Sequence, residues 1–236
     1  MIHKKHPYGP LSVITALALL VFTLTPPCVF AEATKQEILS GMQKRYAGMN
    51  DLTADYARET SSPAMESLFR VASEHKASGR LFFKKPNKLL INQIKPRPEK
   101  LVTNGVTVWW YIPEENLVQR YSGPNLMIEV KPFVDFLAGL DSLTDRFTIT
   151  LTPAKDVPEP IHELVLEPIE KGTGPQKISL WLDTHDYTLI GFRFTSILKE
   201  TTDFHLSNIS YNQDLKTGQF DFQIPPGTEV MDADAQ

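Results

Sequence analysis

The chain of 236 residues carries 24 Lys and Arg against 28 Asp and Glu, which gives a net charge of −4 at pH 7. This balance leaves no basic surface able to neutralise several phosphates and argues against a general nucleic-acid binder. A single cysteine excludes a disulfide-stabilised scaffold. The length and the 42% content of hydrophobic residues are enough for one core of about 200 residues.

Residues 1–31 are typical of an export signal. Lys4 and Lys5 give a positive start, and the apolar run from Leu11 to Leu24 is too short to span a bilayer comfortably. Cleavage after Ala31 or Ala33 follows the small-residue rule. We therefore expect a signal peptide followed by a single domain outside the cytoplasm over residues 32–236, with a net charge of −6 after loss of the two lysines.

Cys28 allows a second interpretation of this N-terminus. A cysteine at the end of an export signal can become the lipid-modified first residue of an anchored lipoprotein. Such a site requires small residues before the cysteine, whereas Thr25-Pro26-Pro27 precedes Cys28 here. The sequence therefore favours a soluble chain that loses its only cysteine with the signal.

A helix is the first element predicted after the signal. Thr34-Lys35-Gln36-Glu37 matches a capping box, in which the Thr34 hydroxyl and the Glu37 carboxylate each accept a backbone hydrogen bond. The apolar residues that follow recur at helical spacing: Ile38, Leu39, Met42, Tyr46 and Met49. An amphipathic helix of this kind normally packs on a core.

Strand patterns fill most of the remaining chain. Residues 50–85 predict two long strands around a polar turn at Ser61-Ser62-Pro63, and residues 86–121 predict four strands with Asn104-Gly105 as a hairpin turn. Pro132 marks a second helix with an apolar face formed by Phe133, Val134, Phe136, Leu137 and Leu140. Six further strands are predicted at residues 147–151, 163–167, 177–182, 189–195, 203–211 and 219–224.

These elements predict a mainly β fold with ten or eleven antiparallel strands in one curved sheet. Large apolar residues occur at both parities of several strands, as in Trp109, Trp110 and Tyr111. Such a pattern indicates that both faces of the sheet are at least partly covered. A concave sheet closed by helices around an apolar interior would explain it, and so would the simpler well-packed two-layer core.

Motifs for catalysis or metal binding are lacking in the sequence. No Gly-x-Ser-x-Gly, His-Glu-x-x-His, glycine-rich phosphate loop or cysteine pair is present. His185-Asp186 lies in a predicted turn, where polar residues are expected in any case. We therefore expect neither an enzyme nor a cofactor or metal.

Four segments occur in an order found in a known family. They are Lys84-Lys85-Pro86-Asn87 with Leu89 to Ile91, then Asn104-Gly105 through Trp109-Trp110-Tyr111 to Pro113, then Pro132-Phe133 to Gly139-Leu140, and finally Phe220-Asp221-Phe222 with Pro225-Pro226-Gly227 and Val230. This set, behind an export signal and a capped helix, resembles the LolA family of periplasmic outer-membrane lipoprotein carriers. The resemblance spans almost all of the chain after the signal.

The resemblance implies an incomplete antiparallel β-barrel of about eleven strands, closed by a helical lid over an apolar cavity. It also implies a monomeric periplasmic chaperone without catalytic activity. Such a protein binds the acyl chains of lipoproteins released by an ATP-driven inner-membrane transporter and delivers them to an acceptor lipoprotein at the outer membrane.

Site residues follow from the same resemblance. Positions that bind acyl chains or line the cavity are Leu89, Ile91, Trp109 and Tyr111 on the strands, and Ile38, Met42, Phe133, Phe136, Leu137 and Leu140 in the lid. Lys85 stands where many members have an arginine that ties the sheet to lid backbone carbonyls, so it is the predicted lid clasp. The sequence leaves open which strand faces line the cavity.

Departures from the family pattern mark a divergent member. Tyr56-Ala57-Arg58 replaces an aromatic-x-Gln pattern, and Leu89 and Ile91 replace two aromatics. Two alternatives therefore remain at this point. One is an outer-membrane-anchored acceptor of the same fold, acylated on Cys28, and the other is a periplasmic lipid-sensing regulatory domain.

Overall fold

The structure, a computed structural model, describes residues 1, 33–63, 75–122, 131–152, 161–170 and 174–232. Apart from Met1, the predicted signal with Cys28 lies outside the described residues, so the cleavage site stays a prediction. The helices and strands belong to the compact unit that begins at Ala33.

The first helix, α1, covers Lys35–Tyr46 and begins at the predicted capping box. The Thr34 hydroxyl accepts from the Glu37 amide at 3.3 Å, and the Glu37 carboxylate accepts from the Thr34 amide at 2.7 Å. These two bonds satisfy amides at the helix start that have no partner within the helix. Ile38, Met42 and Tyr46 are buried at intervals of four residues, so one face of α1 lies on the sheet.

Twelve strands in the described residues form one sheet. They are β1 Asp51–Ser61, β2 Lys76–Lys84, β3 Lys88–Lys95, β4 Glu99–Thr103, β5 Thr107–Ile112, β6 Leu117–Ser122, β7 Phe147–Thr152, β8 Ile161–Pro168, β9 Lys177–Asp183, β10 Leu189–Thr195, β11 Thr201–Tyr211 and β12 Glu229–Asp232. The order across the sheet is β12-β6-β5-β4-β3-β2-β1-β11-β10-β9-β8-β7. A second helix, α2, covers Lys131–Ala138. The mainly β fold is thus confirmed, with twelve described strands where the family resemblance implies about eleven.

Local turn chemistry confirms the predicted hairpin between β4 and β5. The Asn104 side-chain oxygen accepts from the amides of Val106 at 2.9 Å and Thr107 at 3.0 Å. Gly105 has a φ of 95°, a left-handed conformation that a residue with a Cβ rarely adopts. Asparagine followed by glycine therefore sets the reversal of the chain at this point.

The prediction was wrong near the C-terminus. Residues 219–224 do not form a strand; Thr217–Phe220 is a short 3-10 helix, and the Phe220 side chain is fully buried. The strand β12 was missed because its four residues are all exposed and give no alternating pattern. Among the described strands it alone pairs in parallel, lying beside β6.

Cross-strand pairing defines two faces of the sheet, since directly opposed residues share a face. The inner face is the one against which the helices pack, and Leu52, Phe83 and Leu89 lie opposite one another on it. It continues through β11, β10 and β9, where Phe204 is opposite Phe192 and Phe192 is opposite Leu180. These residues and the apolar side chains of α1 and α2 form one buried cluster.

The opposite, outer face is covered in part by the C-terminal segment. The Phe222 ring lies 6.3 Å from Trp109 and 5.8 Å from Tyr111, measured between ring centroids. On a neighbouring region of the outer face, Trp181 stacks on His205 at 5.3 Å. Apolar residues therefore occur at both odd and even positions of the strands because both faces of the sheet are at least partly covered.

Tyr46 ties the end of α1 to the sheet. Its hydroxyl accepts from the buried Leu189 amide at 2.7 Å and lies 3.3 Å from both the Tyr187 carbonyl and the Tyr211 hydroxyl. Burial raises the pKa of Tyr46 far above its ordinary value, with a further contribution from Tyr211, so the hydroxyl stays neutral. Gly41, one turn earlier, permits close contact, because a Cβ there would overlap the Tyr187 ring.

We expect Tyr46→Phe to lower the free energy of unfolding by about 1–3 kcal/mol, because it leaves the buried Leu189 amide without its hydrogen-bond acceptor. Urea denaturation of the purified protein measures this difference. Tyr211→Phe is the matched control, since it removes the neighbouring hydroxyl but leaves the bond to Leu189. Equal losses in the two variants would contradict this account of Tyr46.

Candidate functional site

Eight of the residues predicted to contact acyl chains come together between the helices and the inner face. They are Ile38 and Met42 of α1, Phe133, Phe136 and Leu137 of α2, Leu140 just after α2, and Leu89 and Ile91 of β3. Seven are buried, and Ile91 is partly buried against the same cluster. The helices and the inner face therefore enclose an apolar interior, and in this structure the protein's own side chains fill it.

Trp109 and Tyr111 do not belong to this interior. Their strand neighbours place them on the outer face, and both rings pack against Phe222. The inner-face tryptophan of β5 is Trp110, which lies opposite Leu101. The alternation of β5 predicts two faces but not which of them the helices cover, so the placement of Trp109 and Tyr111 in the cavity needs correction.

Five phenylalanines form the centre of the interior. Phe133 of α2 lies 5.3 Å from Phe192 and 5.2 Å from Phe204, and Phe136 lies 5.2 Å from Phe192 and 5.8 Å from Phe194. The three strand phenylalanines were not among the residues predicted to bind acyl chains. The two-residue spacing of Phe192 and Phe194 on β10 was the available signal, because it places both on one face.

Lys85, the predicted clasp, does reach the region that follows α2. Its ammonium lies 3.1 Å from a carboxylate oxygen of Asp141, and the two side chains are 24% and 28% exposed. The contact is an ion pair between side chains and not a bond to backbone carbonyls. A lysine suits this role because its ammonium acts as a point charge, without the planar fork of arginine.

Arg146 holds the backbone carbonyls of α2 instead. Its guanidinium donates to the carbonyl oxygens of Asp135 and Gly139, each at 3.0 Å. The last carbonyls of a helix lack partners within the helix and carry partial negative charge, so a cation at this end is favourable. Arg146 was not predicted as a site residue, since nothing in its spacing connects the start of β7 with the end of α2.

A narrow crevice separates the two helical regions. It has a volume of about 100 Å³ and is lined by residues of α1, among them Leu39 and Gln43, and by Leu140, Asp141, Leu143 and Thr144. That volume corresponds to the liquid volume of about three water molecules. The crevice itself is therefore too small to hold a long acyl chain.

Two features are absent from the described ranges. No group of three or more His, Cys, Asp or Glu side chains there could hold a metal ion. No described helix has the length and apolar composition needed to cross a membrane.

Comparisons with known proteins point to one family. Residues 52–223 match the family described as "Outer membrane lipoprotein carrier protein LolA". An outer-membrane lipoprotein carrier protein of Pasteurella multocida (strain Pm70) is 25% identical over 206 residues, which cover 86% of this chain and 90% of the relative. Another, of Azotobacter vinelandii (strain DJ / ATCC BAA-1303), is 27% identical over 154 residues, or 65% of this chain and 71% of the relative.

A solved structure supports the fold alone. The crystal structure of an uncharacterized conserved protein from Thermus thermophilus superposes with a TM-score of 0.50 at 15% identity, covering 84% of this chain and 98% of that one. The family match extends from the start of β1 to just past Phe222, so it includes α2 and most of the inner face. The chain therefore belongs to the LolA family of outer-membrane lipoprotein carriers, as a divergent member.

Proposed function

We propose that the protein is a periplasmic carrier that binds the acyl chains of lipoproteins and shields them from water. The observation that supports this most directly is an apolar inner face covered by two helices whose own apolar side chains occupy the interior. The donor in this proposal is an ATP-driven inner-membrane transporter, and the recipient is an acceptor lipoprotein at the outer membrane. The protein acts as a monomer and catalyses no reaction.

Binding of acyl chains is feasible because they can replace the helical side chains that now cover the apolar inner face. Each methylene removed from water contributes about 0.8 kcal/mol, so exposed acyl chains require an apolar surface of comparable extent. Phe133, Phe136 and Leu137 now supply that surface to the sheet. When acyl chains replace them, the sheet exchanges one apolar neighbour for another, and the difference in free energy between the closed and loaded states stays small.

The polar contacts around α2 favour the closed state, in which this helix lies on the sheet. Lys85 with Asp141, and Arg146 with the carbonyls of Asp135 and Gly139, are formed when the helix lies on the sheet. Partly exposed contacts of this kind are weak and exchange readily with water. A weak preference for closure suits a carrier, because closure helps to expel the chains at the acceptor without preventing their entry.

The carrier function predicts a release reaction. Purified protein incubated with proteoliposomes that contain the lipoprotein-releasing transporter should yield a soluble equimolar complex with a lipoprotein, in an ATP-dependent manner. Size-exclusion chromatography followed by mass spectrometry detects the complex. A reaction without ATP is the control, and the absence of any soluble lipoprotein in the complete reaction would contradict the proposed function.

The chain's three tryptophans allow the binding face to be tested. A variant with Trp109→Phe and Trp181→Phe keeps inner-face Trp110, and a matched variant with Trp110→Phe and Trp181→Phe keeps outer-face Trp109. We expect a brominated acyl chain to quench the fluorescence of Trp110 and leave that of Trp109 nearly unchanged, because bromine quenches at short range. Stronger quenching of Trp109 would place the acyl site on the outer face.

The clasp predicts a change in acyl affinity. Lys85→Met should raise the affinity for a fluorescent acyl probe by about two- to fivefold, since it removes a partly exposed ion pair that favours the closed state. Transfer to the acceptor should slow for the same reason. The reversed pair, Lys85→Asp with Asp141→Lys, should restore both values.

Lys216→Met provides the control for loss of a lysine, because its ion pair with Asp214 is almost fully exposed, with side chains 79% and 82% accessible. An equal effect of Lys85→Met and Lys216→Met would show that net charge, and not the clasp, changes the affinity.

A further inference from the structure

A polar pocket opens beside the apolar interior. It has a volume of about 500 Å³ and is lined by Arg58, Gln93, Pro96, Arg97, Glu99 and Trp110. We call it the polar mouth. Arg58 lies on the inner face, opposite Phe204, and Gln93, Glu99 and Trp110 share that face through the pairing of β2 to β5. The mouth therefore belongs to the same surface as the candidate acyl site.

Most charges in the polar mouth are already paired. One oxygen of Glu99 accepts from Arg97 at 2.7 Å, and the other accepts from the Trp110 indole at 2.9 Å. Arg97 donates also to Glu115 at 3.0 Å. Both oxygens of Glu99 thus accept a hydrogen bond, and the Arg97 guanidinium is paired with two carboxylates.

Arg58 is the exception. Its described polar contact is a long one, 3.4 Å from Nη2 to the side-chain oxygen of Gln93. Its Nε is buried and has no hydrogen-bond partner among the described residues, and no described carboxylate lies within ion-pair distance of it. A partly buried cation without a counter-charge is costly, so an anion bound in the pocket would be stabilised by it.

Tyr56 supplies a second unused donor two residues earlier on β1. Its side chain is 3% exposed, and its hydroxyl has no partner in the described part of the chain. Burial raises the pKa of Tyr56 to about 12, Arg58 acts to lower it and Glu99 to raise it, so the hydroxyl remains protonated at neutral pH. Both unused groups are therefore hydrogen-bond donors, which suits an acceptor such as a carboxylate or phosphate oxygen.

The apolar interior begins directly beside these donors. The Tyr56 ring lies 6.0 Å from Phe204, which lies 5.2 Å from Phe133 of α2. On the other side, Trp110 is opposite Leu101, and Leu101 is opposite Ile91. A molecule with an anionic group in the polar mouth would therefore extend an attached acyl chain along the inner face and beneath α2.

We propose that the polar mouth binds the anionic head group of a single-chain acyl amphiphile, a carboxylate or a phosphate, through Arg58, with the hydroxyl of Tyr56, its neighbour on the same face, as a second donor just outside the pocket lining. This inference rests on the proposed function, because the inner face must open to an acyl chain. It extends that function to a charged lipid ligand. Arg58 is then a residue that determines specificity.

The experiment compares ligands that differ in charge alone. Brominated stearate, its uncharged methyl ester and an alkyl phosphate of similar length are titrated into the variant that keeps Trp110 as its single tryptophan, and quenching gives the affinities. We expect the carboxylate to bind more tightly than the ester. Arg58→Gln should weaken carboxylate binding by about tenfold to a hundredfold and change ester binding less than twofold.

Arg80→Gln is the matched control, because Arg80 has a 56% exposed side chain, pairs with Asp55 and does not line the polar mouth. It should change no affinity. Tyr56→Phe should give a smaller loss than Arg58→Gln, again confined to the charged ligands. Circular dichroism and thermal unfolding establish that each variant is folded.

The outcomes separate the two proposals. Equal affinity for carboxylate and ester, or an equal loss of both in Arg58→Gln, would overturn the head-group inference and leave acyl binding intact. Failure of all three ligands to bind the parent protein would contradict the proposed function itself. A loss for the phosphate alone or for the carboxylate alone identifies which anion the polar mouth selects.

Discussion

The inner face of the sheet cannot be left open to water, and the helices are arranged to satisfy that requirement. Leu81, Phe83 and Leu89 are at most 1% exposed because helical side chains cover them. Each buried apolar residue of this size loses roughly 1.5–3 kcal/mol when it is exposed. Any movement that uncovers the face must therefore provide another apolar surface at the same time. Under the proposed carrier function, the acyl chain of the ligand supplies that surface.

The two helices are held by contacts of different kinds. The Tyr46 hydroxyl of α1 is bonded to the buried Leu189 amide, and Gly41 lets the helix approach the Tyr187 ring closely. The contacts of α2 involve charged groups near the surface, Arg146 and the pair of Lys85 with Asp141. Buried hydrogen bonds are expensive to break without replacement, whereas rim contacts exchange with water. In the proposed carrier, we therefore expect α2 to move and α1 to remain with the sheet.

The sequence predicted local structure well, but it did not predict which face of the sheet the helices cover. The capping box at Thr34 and the Asn104-Gly105 turn were predictable because short-range hydrogen bonds and backbone conformation determine them. The placement of Trp109 and Tyr111 was not predictable, since alternation separates two faces without saying which one a distant helix covers. The role of Arg146 at α2 was also hidden, because that contact depends on how the chain folds back and leaves no periodic signal.

Arg58 shows how one departure from a family pattern can change a site. An uncharged glutamine at this position could form its hydrogen bonds with neighbouring polar groups, as the Gln93 amide does by donating to the Arg97 carbonyl. A guanidinium brings a charge that must be neutralised, and the described residues provide Glu99 and Glu115 for Arg97 but give Arg58 only one long contact. Because an uncompensated charge beside an apolar interior lowers stability in the empty state, its presence is best explained by a ligand that supplies the missing anion.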